Sequence, residues 1–225
     1  MSEILLAGPA PAPEASTKRQ QVMDAATELF LAQGYGAVSM DAVARAAGVS
    51  KATLYAYFAS KSALFARIVC DRGLNAKLDE SLYPEHVADL RMTLERLGLR
   101  IMQFMMQERT LALYRIIIAE SARFPDLGQA FYDNGPAVFL ARANTWFGMQ
   151  QSRGLIRSGD IAVATQQFMA LLRSGVFLRA TLAVPPEPTE ADIVATVTAA
   201  VDTWLRAFGE DAPAEHGFAA PCDCA

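Results

Sequence analysis

Lys51, Thr53, Tyr55, Tyr57 and Lys61 fall within 11 consecutive residues. Ammonium, hydroxyl and phenol groups at that density suit contact with phosphates and base edges. On a helix, positions 51, 55 and 58 share one face and positions 53 and 57 share the neighbouring one. Such a helix offers one edge to bases and another to the nucleic-acid backbone. Its N-terminus would also turn backbone N–H groups and the positive dipole end toward phosphates. Lys61, at the start of the next helix, could clamp a phosphate. Taken singly, each tyrosine reads as a half-buried aromatic and each lysine as a solvated charge. Their coincidence favours nucleic acid.

No other cluster suggests chemistry. The two histidines, His86 and His216, are far apart, and the three cysteines are Cys70, Cys222 and Cys224. Cys222-Asp-Cys224 lacks the usual zinc spacing and a second ligand pair. No nucleophile elbow, P-loop or paired-cysteine zinc motif occurs. The expectation is a protein that is not an enzyme and needs neither cofactor nor metal.

The elements that must position the five residues are legible around them. Residues 40–58, MDAVARAAGVSKATLYAYF, have the shape of a helix-turn-helix. Two closely crossing helices need a small residue where they touch, and Ala44 supplies it. The turn needs a permissive backbone, and Gly48 supplies that four residues later. Val43, Ala47, Val49 and Leu54 give the pair an apolar side to bury. Ser39, Ser50 and Ser60 each precede a short apolar pattern and can cap a helix. Upstream, Val22, Ala25, Ala26, Leu29 and Phe30 lie on one face of a first helix, which Gly34 stops.

The remaining pattern is helical throughout, with no convincing alternation of strand type. Nine helices are expected, the later ones near 85–107, 109–122, 137–152, 160–183 and 190–208. The fold class is therefore all-α. Residues 1–15 read as a disordered arm and 209–225 as a disordered tail. Between them, 16–65 read as the helix-turn-helix domain and 66–208 as a second domain for ligand binding and dimerisation.

Composition excludes several classes. The chain has 225 residues, 52% hydrophobic and 20% charged, too apolar for general disorder. Its apolar runs fall short of the roughly 18 residues a membrane span needs. Three cysteines give no disulfide framework, so the cytoplasm is the expected location. A net charge of −4 argues at first against DNA. Yet residues 16–65 carry five basic and three acidic side chains, leaving +2 there and −6 on the rest.

Residues 17–65, with the run AGVSKATLYAYFASKSALF, resemble the DNA-binding domain of the TetR/AcrR transcriptional regulators. Residues 111–136, LALYRIIIAESARFPDLGQAFYDNGP, resemble the C-terminal domain of the AefR-like branch. The resemblance implies nine helices, three for DNA and six for ligand and dimer. It implies a repressor released from a palindromic operator on double-stranded DNA by a small molecule. Matching positions imply base contacts from Lys51, Ala52 and Tyr55. They imply phosphate contacts from Ser39, Thr53, Tyr57 and Lys61, with Arg45 a further candidate. Asp41 departs from the pattern, standing where some members carry a basic base-reading residue.

Met102, Met105, Met106, Tyr114, Trp146, Phe147, Met149 and Phe168 could line an adaptable apolar pocket for an apolar or aromatic effector. They suit an ordinary core equally. Glu108 with Arg115, and Glu120 with Arg123, read as solvated or structural pairs. The last two helices have broad apolar faces, and the resemblance implies that they build a homodimer. Two other readings stand: a DNA-binding, chromosome-organising protein with no effector, and an all-α small-molecule binder without DNA. Release of DNA by a small molecule separates the first, and the intact 51–61 set argues against the second.

Overall fold

The computed structural model describes residues 13–71 and 83–210. His216, Cys222, Cys224, most of the expected arm and nearly all of the tail lie outside them. Among the described residues the secondary structure is helical, apart from one isolated bridge between Ile156 and Gly209. The described residues form eleven helical segments: α1 (Pro13–Ala37), α2 (Met40–Ala46), α3 (Lys51–Tyr57), α4 (Lys61–Asp71), α5 (Leu90–Met105), α6 (Glu108–Glu120), α7 (Pro125–Asn134), α8 (Pro136–Ser152), α9 (Ile161–Leu172), α10 (Val176–Thr181) and α11 (Glu190–Phe208).

The nine expected elements are recognisable, and two segments are added. The stretch between the helices expected near 109–122 and 137–152 contains a true helix start. Pro125 occupies its first turn, where a missing N–H costs nothing, and α7 follows. The long helix expected over 160–183 is interrupted at Arg173–Gly175, where Gly175 adopts φ +23°. Two further boundaries differ. α1 begins at Pro13, so residues 13–15 are helical. α5 starts at Leu90 because the Asp89 carboxylate accepts from Met92 N and caps it there. Gly34, expected to stop the first helix, instead kinks it at φ +77°, and helical residues resume beyond it as far as Ala37.

The chain forms two compact units. The first contains α1–α4 and then, after an excursion of the chain, α6 and α7. Val22, Ala26, Phe30, Val43, Ala47, Leu54, Phe65 and Ile68 fill its core, joined by Leu113, Ile117 and Leu127 from the later helices. Phe30, Tyr35 and Phe65 meet at centroid distances of 5.0–5.7 Å, and Phe124 closes on Tyr35 at 5.2 Å. Burying each such ring contributes about 2–3 kcal/mol, with a further increment for edge-to-face geometry.

The second unit contains α5 and α8–α11. α5 and α9 pack on α11. Phe147, Phe168, Trp204 and Phe208 form a continuous aromatic chain with Trp146. Both indoles satisfy their N–H groups, Trp146 on Pro84 O at 3.0 Å and Trp204 on Ala164 O at 2.8 Å. Gly98 lets α5 approach α11 closely: a Cβ there would lie 2.8 Å from Val197 Cγ1 and 3.1 Å from Leu172 Cδ2. On α11, Thr189 and Asp192 cap each other reciprocally.

Candidate nucleic-acid interface

The three expected caps are all made. Ser39 Oγ accepts from Ala42 N at 3.1 Å, Ser50 Oγ from Thr53 N at 3.0 Å, and Ser60 Oγ from Ala63 N at 3.0 Å. Ala44 is buried where α2 meets its neighbours, and Gly48 turns the chain at φ +62°. Its N–H donates to Arg45 O, and Val49 N donates to Ala44 O. Leu54 is fully buried beneath α3. The short helix is thus held by one apolar anchor, one serine cap and one glycine turn, leaving its other faces to solvent.

Those faces carry the candidate residues. Lys51, Ala52 and Tyr55 are exposed, as are Ser39 and Arg45 on the adjoining segment. Tyr55 retains 44% of its surface, so its ring and hydroxyl are open to solvent. Thr53 is half-buried, and its hydroxyl lies 2.8 Å from that of Ser50. Tyr57 is half-buried against the core, its ring 6.4 Å from that of Phe58.

Lys51 and Lys61 both differ from a simple solvated lysine. Lys51 Nζ sits 2.8 Å from Asp41 Oδ1, and the Asp41 hydrogen bond holds its pKa above the ordinary lysine value. Lys61 points inward. Its ammonium donates to Tyr35 O at 2.8 Å and Val38 O at 2.9 Å, and stands 4.3 Å above the Tyr35 ring. Burial lowers its pKa, opposed by the charges of Asp126 and Glu120. Lys61 therefore ties the loop before α2 to the start of α4, with two of its three donors committed to the fold.

Sequence reasoning missed the partners of these lysines. Asp41 precedes Lys51 by ten residues, and the only signal was an acid and a base each in the first turn of consecutive helices. Glu120, read with Arg123 as a solvated or structural pair, accepts from Gly36 N at 3.4 Å. Arg123 lies over Phe124 at 5.2 Å, and Arg109 pairs with Glu28 at 3.1 Å.

The eight candidate effector contacts divide. Tyr114 belongs to the first unit, its ring 6.3 Å from that of Phe131. The other seven lie in the second unit. There Met102, Trp146, Phe147 and Phe168 are buried, Met105 and Met106 half-buried, and Met149 exposed. The same unit holds three buried polar atoms without a hydrogen-bond partner: Tyr83 Oη, Asn144 Oδ1 and Gln150 Oε1. Gln150 has no exposed surface, and its amide N–H donates to Trp146 O at 3.4 Å. That carbonyl can only accept, so the amide orientation is fixed and Oε1 is left wanting a donor. The Tyr83 ring lies 6.0 Å from Trp146, and burial pushes its phenol pKa up, keeping it protonated and able to donate. Among the described residues, no group of three or more potential ligands could hold a metal, and no helix is long and apolar enough to cross a membrane.

An exposed, serine-capped recognition helix on a glycine turn defines a helix-turn-helix protein, and comparison with known proteins agrees. Residues 22–68 match the model of the bacterial regulatory proteins of the tetR family, and residues 92–210 match the C-terminal domain of AefR-like transcriptional repressors. The chain belongs to the TetR family of DNA-binding transcriptional regulators. A TetR-family regulator structure from Mesorhizobium loti MAFF303099 is 29% identical, covers 88% of this chain and all of its own, and superposes with a TM-score of 0.74. The flavonoid-responsive regulator FrrA is 35% identical, with 87% of this chain and 99% of its own covered and a TM-score of 0.69. The regulator SrpR of Pseudomonas putida is 37% identical over 68 residues, 30% of this chain and 32% of its own. The chain spans from 25% to 51% of the length of the first curated relatives it matches.

Proposed function

We propose that the protein is a cytoplasmic, homodimeric repressor that leaves a near-palindromic operator when a small aromatic molecule binds its second unit. One observation carries the DNA half of this reading: Lys51, Ala52 and Tyr55 stand exposed on one short helix fixed at both ends. Lys51 and Tyr55 would reach base edges, and Ala52 would meet a thymine methyl or admit the backbone closely. Ser39, Arg45, Thr53, Tyr57 and Lys61 would flank them on phosphates. Lys61 has one donor left for that role after its two carbonyl bonds. Residues 16–65 would form the DNA-reading segment and 66–208 the part that binds effector and partner. Regulation rather than catalysis is the reading that family membership supports.

The dimer would form through the last helices. Leu178 and Leu182, at 58% and 64% exposure, and Val194 at 44% leave apolar surface uncovered on and beside α10 and α11. A two-fold contact there would present the same patch from both copies. The recognition helices of such a dimer would stand about 34–36 Å apart, one DNA turn.

The effector would lie among the buried aromatics near Trp146, with Met102, Met105 and Met106 adapting to its outline. Gln150 Oε1 and the Tyr83 hydroxyl call for a molecule that both donates and accepts hydrogen bonds. A hydroxylated aromatic has that chemistry, and the likeness to a flavonoid-responsive regulator supports it. The test is fluorescence anisotropy on the DNA flanking the protein's own gene, titrated with a panel of hydroxylated and unsubstituted aromatics. Binding that hydroxylated compounds release is the expected result. Binding that no compound affects would favour the effector-independent reading.

A further inference from the structure

Asp41 is the only carboxylate in residues 39–61, the segment that carries every candidate DNA contact. A lone acid on a face built to meet phosphate repels it. Fold stability accounts for little of its presence: in the first turn of α2 the carboxylate meets the positive end of the helix dipole, a contribution of about 0.3–1 kcal/mol. The pair it makes with Lys51 is open to water, the two side chains keeping 57% and 62% of their surface. Exposed pairs of this kind contribute about 0–1 kcal/mol. The pair must therefore be considered for what it presents outward.

It presents a donor and an acceptor side by side. Lys51 Nζ lies 2.8 Å from Asp41 Oδ1 and 3.1 Å from Oδ2, so one ammonium proton faces the carboxylate and two remain. In the major groove, a G·C pair shows two adjacent acceptors, guanine N7 and O6, next to the cytosine N4 amine. An A·T pair interposes the adenine amine between its two acceptors, so an ammonium finds no adjacent pair of them there. The pattern on the protein and the pattern on G·C are complementary.

We propose that Asp41 and Lys51 together read one G·C base pair in each half-site, Lys51 donating to guanine O6 and N7 while Asp41 accepts from cytosine N4. This rests on α3 being the helix that enters the groove. Asp41 also holds Lys51 away from the phosphates. A free lysine would bind any sequence through the backbone. A paired one recovers its contact only where the base pair offers both acceptor and donor. Asp41 thus exchanges general affinity for discrimination.

The test selects binding sites from a library of randomised duplexes with the full-length wild type, Asp41→Ala and Lys51→Ala, followed by anisotropy at several salt concentrations. Thermal unfolding checks that the exposed changes leave the fold intact. The wild type is expected to fix a G·C pair at one position of each half-site, with a preference of about 10-fold over other pairs. Asp41→Ala is expected to lose that preference, bind unrelated DNA more tightly, and steepen its salt dependence by about 0.9 per freed phosphate contact. An Asp41→Ala variant that selects the same sites with the same salt slope would overturn the proposal. If Lys51→Ala still loses one position in that case, α3 remains the reader and only the role of Asp41 falls. If neither variant changes selection, the recognition-helix reading falls with it.

Discussion

Lys61 and Tyr35 show how a single residue can serve the fold while resembling a ligand contact. The ammonium of Lys61 closes two loop carbonyls and covers the Tyr35 ring. Lys61→Met should destabilise the protein by about 1–3 kcal/mol, because it leaves polar groups unpaired. Chemical denaturation in the absence of DNA measures this, and an unchanged midpoint would mean that the carbonyls find water instead. Tyr35 is buried, and desolvation, aided by the charge of Asp126, raises its pKa from 10.0 to about 12 against an opposing hydrogen bond from Ser62. The unfolded phenol ionises near 10 while the folded one keeps its proton to about 12. Stability from this group is therefore complete below pH 10 and lost as pH climbs through 12. Tyr35→Phe should lose about 2 kcal/mol less than the wild type between pH 9.5 and 12, read from urea unfolding at the two pH values. The residue types around positions 51–61 announced DNA in the sequence. The inward turn of Lys61 did not show there, because its acceptors are backbone carbonyls 23 and 26 residues earlier and carry no side-chain signature.

At the scale of elements, the sequence was most readable where local chemistry decides. Serine caps and glycine turns act within four residues, so α2, α3 and the start of α4 fall where Ser39, Gly48, Ser50 and Ser60 put them. α7 was missed because its pattern is short and its proline resembles a breaker. The split between α9 and α10 was missed because apolar periodicity runs through Arg173–Gly175 unchanged. Close helix crossings are also hidden from a single chain read in order. Gly98 illustrates this: Gly98→Ala gains up to about 1 kcal/mol of helix propensity. It also drives a methyl into Val197 and Leu172, and overpacking of this kind costs about 1–3 kcal/mol. The expected net result is a lower melting temperature, and a higher one would mean that α5 shifts freely away from α11. Thr189→Ala, which removes the reciprocal cap on α11, should cost about 1 kcal/mol in the same assay.

At the scale of the whole molecule, the charge that first counted against DNA is distributed unevenly: residues 16–65 carry +2 and the remainder −6. In the proposed dimer, a second copy would double the phosphate contacts of a weakly basic reader. Leu178→Glu combined with Val194→Glu should yield monomers by sedimentation and weaken operator binding by about 100-fold, the avidity of the second contact being lost, with helicity retained. Dimers that persist in that variant would place the contact elsewhere. The first compact unit also has a property with a practical reach. Its polypeptide is discontinuous, since α6 and α7 return to it after α5, and α7 packs on α4. Leu113, Ile117 and Leu127 complete a core begun by Val22 and Phe30. Cutting the gene after codon 65 would therefore strip the reader of part of its interior. A hybrid meant to keep this protein's DNA preference and borrow another's inducer would have to carry residues 108–134 along with the N-terminal helices.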